Sequence, residues 1–179
     1  CLDYLVYDVF DAQAMADRLS HILMRNTDQA NNMMLNLLDS HDTERFLTLA
    51  KKNGKDERSL LCSLAIMFFL PGMPCIYYGT EIGMEGGYDP DCRRTFDWNR
   101  KNWNMRVYAT VINLIRLRKC IKGDVTYSAE NGILLIGRGD LILAVNNGTE
   151  KRRTKILHKE YEIGPFEFII INIKEGEVL

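Results

Sequence analysis

Two short apolar runs separated by a helix-patterned segment constrain this chain most. The first run includes Met33, Met34, Leu35, Leu37 and Leu38, and ends abruptly in Asp39-Ser40-His41-Asp42-Thr43-Glu44-Arg45. The second, Pro74-Cys75-Ile76-Tyr77-Tyr78, is β-prone and is closed by Gly79. Between them Leu60, Leu61, Leu64, Ala65 and Phe68 recur at helical spacing, with Asp56 as cap and Pro71-Gly72 as stop. Apolar runs of this length, bounded by polar residues, read as strands buried on both faces. Strand, helix and strand in this order predict a right-handed βαβ unit with a parallel pair. That places the chain in the α/β class. It also places Asp39 to Glu44 at the carboxyl end of a strand, where parallel folds keep their chemistry.

A carboxylate and an imidazole side by side at a strand end suit hydrogen bonding to a polyol and stabilisation of developing positive charge. Ser40, His41 and Asp42 are consecutive, so along a strand their side chains alternate in direction and do not form one nucleophilic triad. Metal binding by Asp39, His41 and Asp42 stays open, although the spacing matches no standard metal motif. A purely structural alternative makes Asp42 or Thr43 the N-cap of a short helix over 45–51, with Glu44 in its first turn.

Upstream, Met15, Leu19, Ile22 and Leu23 predict a helix over 11–25 with Asp11 as cap, followed by a polar connection over 26–32. Downstream of Gly79, residues 80–98 form a long glycine-containing stretch carrying Glu81, Glu85, Asp89, Asp91, Arg93, Arg94 and Asp97. Long ordered loops in compact domains are usually functional, and an arginine forked onto a carboxylate can fix two sugar hydroxyls. An internal ion pair that only shapes the loop is the competing reading. A third helix is expected over 105–119, with Val107, Val111, Leu114 and Ile115 inward and Arg116, Arg118 and Lys119 at its end.

Near residue 120 the period falls to two. Ile133 and Leu135, then Leu141, Leu143 and Val145, then Phe166, Phe168 and Ile170 alternate. Turn signals stand at Asn131-Gly132, Gly139-Asp140, Asn147-Gly148 and Gly164-Pro165. The expected organisation is one part over 1–119 and a small antiparallel sheet or sandwich over 120–179.

The net charge of −1 argues against nucleic acid or an anionic membrane surface as partner, and no apolar stretch is long enough to span a bilayer. Five scattered cysteines, with Cys62 and Cys75 in apolar runs, fit free thiols in a reducing compartment better than a disulfide framework. A cytoplasmic location is the expectation. The chain opens at Cys1 rather than at an initiator Met, so a fragment is expected and any targeting signal would lie upstream.

Three ordered motifs, NLLDSHDTERFL, GMPCIYYGTEIGMEGG and DPDCRRTFDW, resemble the α-amylase family of glycoside hydrolases. The cyclomaltodextrinase, neopullulanase and maltogenic amylase branch is the most similar. The resemblance implies that residues 1–119 are the last part of a (β/α)8 barrel, from helix six to helix eight, followed by the family's β-sandwich domain. It implies that Asp42 is the acid that stabilises the transition state and that His41 contacts sugar hydroxyls at the cleavage subsite. Asp89 and Arg93 match a pair that holds the sugar one subsite further along. Thr80 departs from the pattern, since the family usually has Asp there.

The family's nucleophile and general acid follow strands four and five, and no motif of that kind occurs in these residues. The resemblance therefore implies a parent acting with retention on α-1,4 glucosidic bonds of maltodextrin, cyclodextrin or pullulan, with α-1,6 bonds left open, and an isolated chain that is inert. No cofactor and no metal is expected, and no calcium loop is recognisable. Open barrel edges imply self-association, element swapping or a need for the missing barrel half. The alternative is a noncatalytic module that binds glucan or completes another chain's barrel.

Overall fold

The computed structural model describes residues 1–179. Three helices come first: α1 (Leu2–Leu5), α2 (Ala12–Met24) and α3 (Asp28–Met33). Asp11 caps α2 by accepting from the Ala14 amide at 2.8 Å, as its sequence position predicts. The polar connection is in fact largely α3, capped by Thr27, whose hydroxyl accepts from the Ala30 amide. Its segment DQANNM has no apolar period, so only the cap marked it.

Strand β1 (Leu35–Leu37) pairs in parallel with β2 (Met73–Cys75), with Leu35 opposite Met73 and Leu37 opposite Cys75. Between them run α4 (Phe46–Lys52) and α5 (Glu57–Phe69). From Ser59 to Phe69 every residue of α5 is buried, so it is a central helix with no polar face. The strands differ from expectation: Leu35 is 58% exposed, Leu37 46% and Met73 50%. Only two strands pair here, so each keeps one free edge and these side chains meet no second layer. Beside them an apolar groove of about 430 Å³ is lined by Leu35, Leu37, Leu38, Phe46, Met67 and Leu70.

Beyond β2 the chain makes three single 3-10 turns before α6 (Met105–Arg118), capped by Asn104. The remaining strands are β3 (Val125–Glu130), β4 (Ile133–Arg138), β5 (Leu141–Asn146), β6 (Arg152–Ile156), β7 (Lys159–Ile163), β8 (Glu167–Asn172) and β9 (Glu177–Val178). An antiparallel sheet of order β3-β4-β5-β8-β9 carries the separate hairpin β6-β7. Ile133, Ala144 and Ile171 meet Ile156 and Ile163 of the hairpin on one face. Leu134, Ile136, Leu143, Val145 and Ile170 join the helices' apolar core on the other.

Polar groups tie the sheet to the helices as well. The Arg118 and Arg138 guanidiniums both donate to the Leu70 carbonyl, at 2.9 and 2.7 Å, where α5 ends. Cations at that end complement the helix dipole. Burial, and for Arg118 also the nearby Arg138, hold both guanidiniums below their ordinary pKa. All five cysteines are free, and Cys62 and Cys92 are buried. No helix is long and apolar enough to cross a membrane.

The β3-β4 turn is Asn131-Gly132, with φ of 51° and 76°, the conformation that dipeptide favours. The β6-β7 turn is Leu157-His158, at φ 48° and 69°. Left-handed backbone costs an L-residue with a large side chain about 1–2 kcal/mol. Leu157→Asn combined with His158→Gly is therefore expected to stabilise the fold by about 1 kcal/mol, raising the melting temperature about 2–4 °C in a calorimetric scan. An unchanged or lower melting temperature would contradict that strain.

Candidate active site

The free carboxyl ends of β1 and β2 lie side by side, because the strands are parallel and in register. The segment after β1 and the long segment after β2 consequently form one surface. Asp39 is the first polar residue after β1, and it is buried. Its Oδ1 accepts from the Phe46 amide at 2.5 Å and its Oδ2 accepts from the Thr80 hydroxyl at 2.6 Å. Asp39 thus caps α4 from seven residues upstream and fastens the β2 loop to the β1 loop. The cap reading of Asp42 and Thr43 is corrected: neither side chain bonds the helix, whose N-cap residue is Arg45.

Residues 40–43 loop outward between the strand and that cap, and Glu44 turns back in and is buried. Ser40 and Thr43 hydroxyls meet at 3.1 Å, and the Asp42 amide donates to Ser40 Oγ at 3.2 Å. This local bracing leaves the side chains of His41 and Asp42 free, 65% and 69% exposed. Their one polar contact is mutual, His41 Nε2 to Asp42 Oδ1 at 3.1 Å. A carboxylate bonded only to an adjacent imidazole, on an open surface at a strand end, is available to a ligand.

The β2 segment meets this loop directly. Arg93 pairs with Asp89 at 2.8 Å and donates from Nε to the His41 carbonyl at 3.1 Å. The Cys92 thiol lies 3.1 Å from the same carbonyl. The structure therefore brings His41, Asp89 and Arg93 into one hydrogen-bonded group, with Asp42 joined to it through His41. Asp42's carboxylate itself bonds neither Asp89 nor Arg93.

Asp91, next to this pair, receives a fork from Arg94 at 2.6 and 2.8 Å and the Gly87 amide at 2.6 Å. Arg94 first and that amide second hold its carboxyl below the usual range. Asp91–Arg94 and Asp89–Arg93 are thus both ion pairs within this loop, the arrangement that the sequence left as the alternative to sugar binding. Gly86 approaches the Asp91 carbonyl so closely that an added Cβ would stand 2.6 Å from its oxygen, so the turn requires glycine. No cluster of three or more His, Cys, Asp or Glu side chains has the geometry to hold a metal ion.

Sequence reasoning passed over Arg45, reading it only as the start of a short helix. It is fully buried. It donates from Nε to the Cys92 carbonyl at 3.1 Å and from Nη1 to the Tyr78 carbonyl at 2.9 Å. Its guanidinium lies 4.8 and 5.2 Å from the ring centres of Tyr77 and Tyr78. A basic residue three positions past Asp42 is the only sequence signal, and it does not distinguish a buried fork from a solvated helix end.

The family profile for the alpha amylase catalytic domain matches residues 7–124. The chain belongs to the α-amylase family. Within that family it is similar to the intracellular maltogenic amylase of Bacillus subtilis, with 44% identity over 118 residues that make up 66% of this chain and 20% of that protein. Identity to the cyclomaltodextrinase of Thermoanaerobacter pseudethanolicus is 35% over 167 residues, covering 88% of this chain and 28% of the relative. The solved cyclic α-maltosyl-(1→6)-maltose hydrolase from Arthrobacter globiformis, in complex with maltose, superposes with a TM-score of 0.86 at 29% identity. That superposition covers 96% of this chain and 42% of the solved one. The chain thus spans 20% and 28% of the length of these two curated α-amylase family relatives.

Proposed function

We propose that this α-amylase family chain supplies the glucan-holding end of a retaining α-glucan hydrolase. In this reading residues 1–119 are the barrel from helix six to helix eight, and residues 120–179 are a β-sandwich packed against it. His41 hydrogen-bonds sugar hydroxyls at the cleavage point. Asp42 places negative charge beside the sugar ring as oxocarbenium character develops. Asp89 and Arg93 hold the neighbouring sugar, the arginine through paired hydrogen bonds worth about 1.5–3 kcal/mol each. The observation that carries the reading is the division of labour between two carboxylates three residues apart. Asp39 is buried and spent on the fold, whereas Asp42 is exposed and bonded only to His41.

Retaining hydrolysis needs a nucleophile and a general acid about 5–5.5 Å apart. We assign neither role to a residue here, so Asp42 orients and stabilises without a partner to attack or protonate. The substrate class is maltodextrin, cyclodextrin or pullulan, and the location is cytoplasmic. The expected result with the 179-residue chain is no release of p-nitrophenol from p-nitrophenyl-α-maltoside above buffer. Adding a polypeptide that carries the upstream barrel acids is expected to produce release. Turnover by the chain alone would overturn this division of roles.

The apolar edge formed by Leu35, Leu37 and Met73 gives the same reading a physical consequence. Unpaired strand edges with exposed apolar side chains associate. In sedimentation velocity the chain is expected to form larger species as its concentration rises through the micromolar range, and Leu35→Lys with Met73→Lys to suppress them. A single monomer at all concentrations would contradict this. A noncatalytic glucan-binding or barrel-completing module remains the second reading. It is favoured by the continuous core that joins the helices to the sheet, since that core gives the chain a scaffold of its own.

A further inference from the structure

Arg45 heads the fully buried side chains by size, and its guanidinium bonds only carbonyl oxygens. Its remaining nitrogen, Nη2, has no partner. A buried cation without a carboxylate is costly, so stability alone is a poor reason to keep one. Places where a chain breaks such a rule are where function is expected.

What Arg45 does hold is specific. Its Nε and Nη1 take the carbonyls of Cys92 and Tyr78, two points that bracket Asp89 in the β2 segment. Its own backbone amide donates to the Gly86 carbonyl at 3.0 Å, between those two points. One residue therefore holds the β2 loop at three points. Arg45 also stands three residues after Asp42, so whatever fixes the loop to Arg45 fixes it to the β1 segment. Cys92, gripped through its carbonyl, adjoins Arg93, whose Nε bonds His41.

We propose that Arg45 is a positioning residue: its rigid fork sets where the Asp89–Arg93 pair stands relative to His41 and Asp42, and so the fit of a sugar laid across them. The inference rests on the functional reading given above and adds to it the residue that sets the placement of the Asp89–Arg93 pair. The planar guanidinium is essential to this role, because an ammonium is a point charge that lacks its fixed two-pronged geometry.

Arg45→Met and Arg45→Lys in the 179-residue chain separate the possibilities. Methionine fills similar space but leaves the Cys92 and Tyr78 carbonyls without their donor, so the melting temperature is expected to fall by about 5 °C with the chain still folded at about 25 °C. Hydrogen exchange is expected to quicken roughly tenfold at the amides of Gly87, Asp91 and Arg93, with the α5 amides unchanged. Calorimetric titration with maltohexaose is expected to give a dissociation constant roughly tenfold weaker for both variants, lysine failing to rescue.

Unchanged loop exchange in Arg45→Met overturns the proposal. So does full affinity in either variant, and so does a fall in affinity that merely follows global unfolding. If the unaltered chain binds no maltohexaose, the functional reading fails and the positioning role falls with it. Binding by the unaltered chain that survives Arg45→Met removes the positioning role alone.

Discussion

Replacing Asp42 by Asn, in a chain that also carries the nucleophile and general acid, is expected to lower turnover by about three orders of magnitude, or about 4 kcal/mol of transition-state stabilisation. The expectation follows from what Asp42 touches. Its carboxylate has His41 Nε2 as its one polar partner and is mostly in solvent, so no fold element depends on it. Asn keeps the shape and the bond to His41 but removes the negative charge that opposes an oxocarbenium-like state. Melting temperature should stay unchanged, and substrate affinity should fall far less than turnover. Turnover within a factor of a few of the unaltered enzyme would remove Asp42 from the reaction.

Asp39→Ala should do the opposite. That carboxylate is buried and accepts from the Phe46 amide and the Thr80 hydroxyl. Truncation leaves both donors buried without an acceptor and uncaps α4, a combined cost of about 3 kcal/mol. In thermal denaturation the melting temperature is expected to fall by about 10 °C. Asp39→Asn keeps a carbonyl acceptor and should recover part of the loss. If Asp39→Ala melted like the unaltered chain, the buried linkage between the two loops would be energetically idle.

The two carboxylates also show how far a sequence of this kind can be read. Both stand in one polar hexapeptide after an apolar run, and the run correctly located the strand end. Which carboxylate turns inward depends on the six residues 40–45 closing so that Asp39 reaches Phe46, and no local preference encodes that closure. The βαβ unit was legible because α5 carries its own boundary marks, Asp56 before it and Pro71-Gly72 after it. Helix α3 was not, since its sequence lacks any apolar stripe and it is held by the Thr27 cap and by Asn31, whose amide donates to the Leu23 carbonyl.

The hairpin β6-β7 escaped for a related reason. Its strands RRTKI and KEYEI are mostly charged, and Leu157-His158 is not a dipeptide that announces a tight turn. Thr154 and Ile163 are nonetheless buried, and only the facing sheet makes that burial sensible. Arg45 is the extreme case. A basic residue at a helix start is ordinary in sequence, and its complete burial follows from a loop that begins more than thirty residues later.

The most direct measurement is a nuclear magnetic resonance titration of the 179-residue chain with maltohexaose, following the three histidine rings and the arginine Nε–H groups. His21 and His158 lie on α2 and on the β6-β7 turn, away from the paired loops, and serve as internal references. The expected result is saturable movement of the His41 ring and the Arg93 Nε–H signal with one dissociation constant, while His21 and His158 stay fixed. Signals of His41 and Arg93 that do not move, or movement confined to the other histidines, would contradict a glucan site at the ends of β1 and β2.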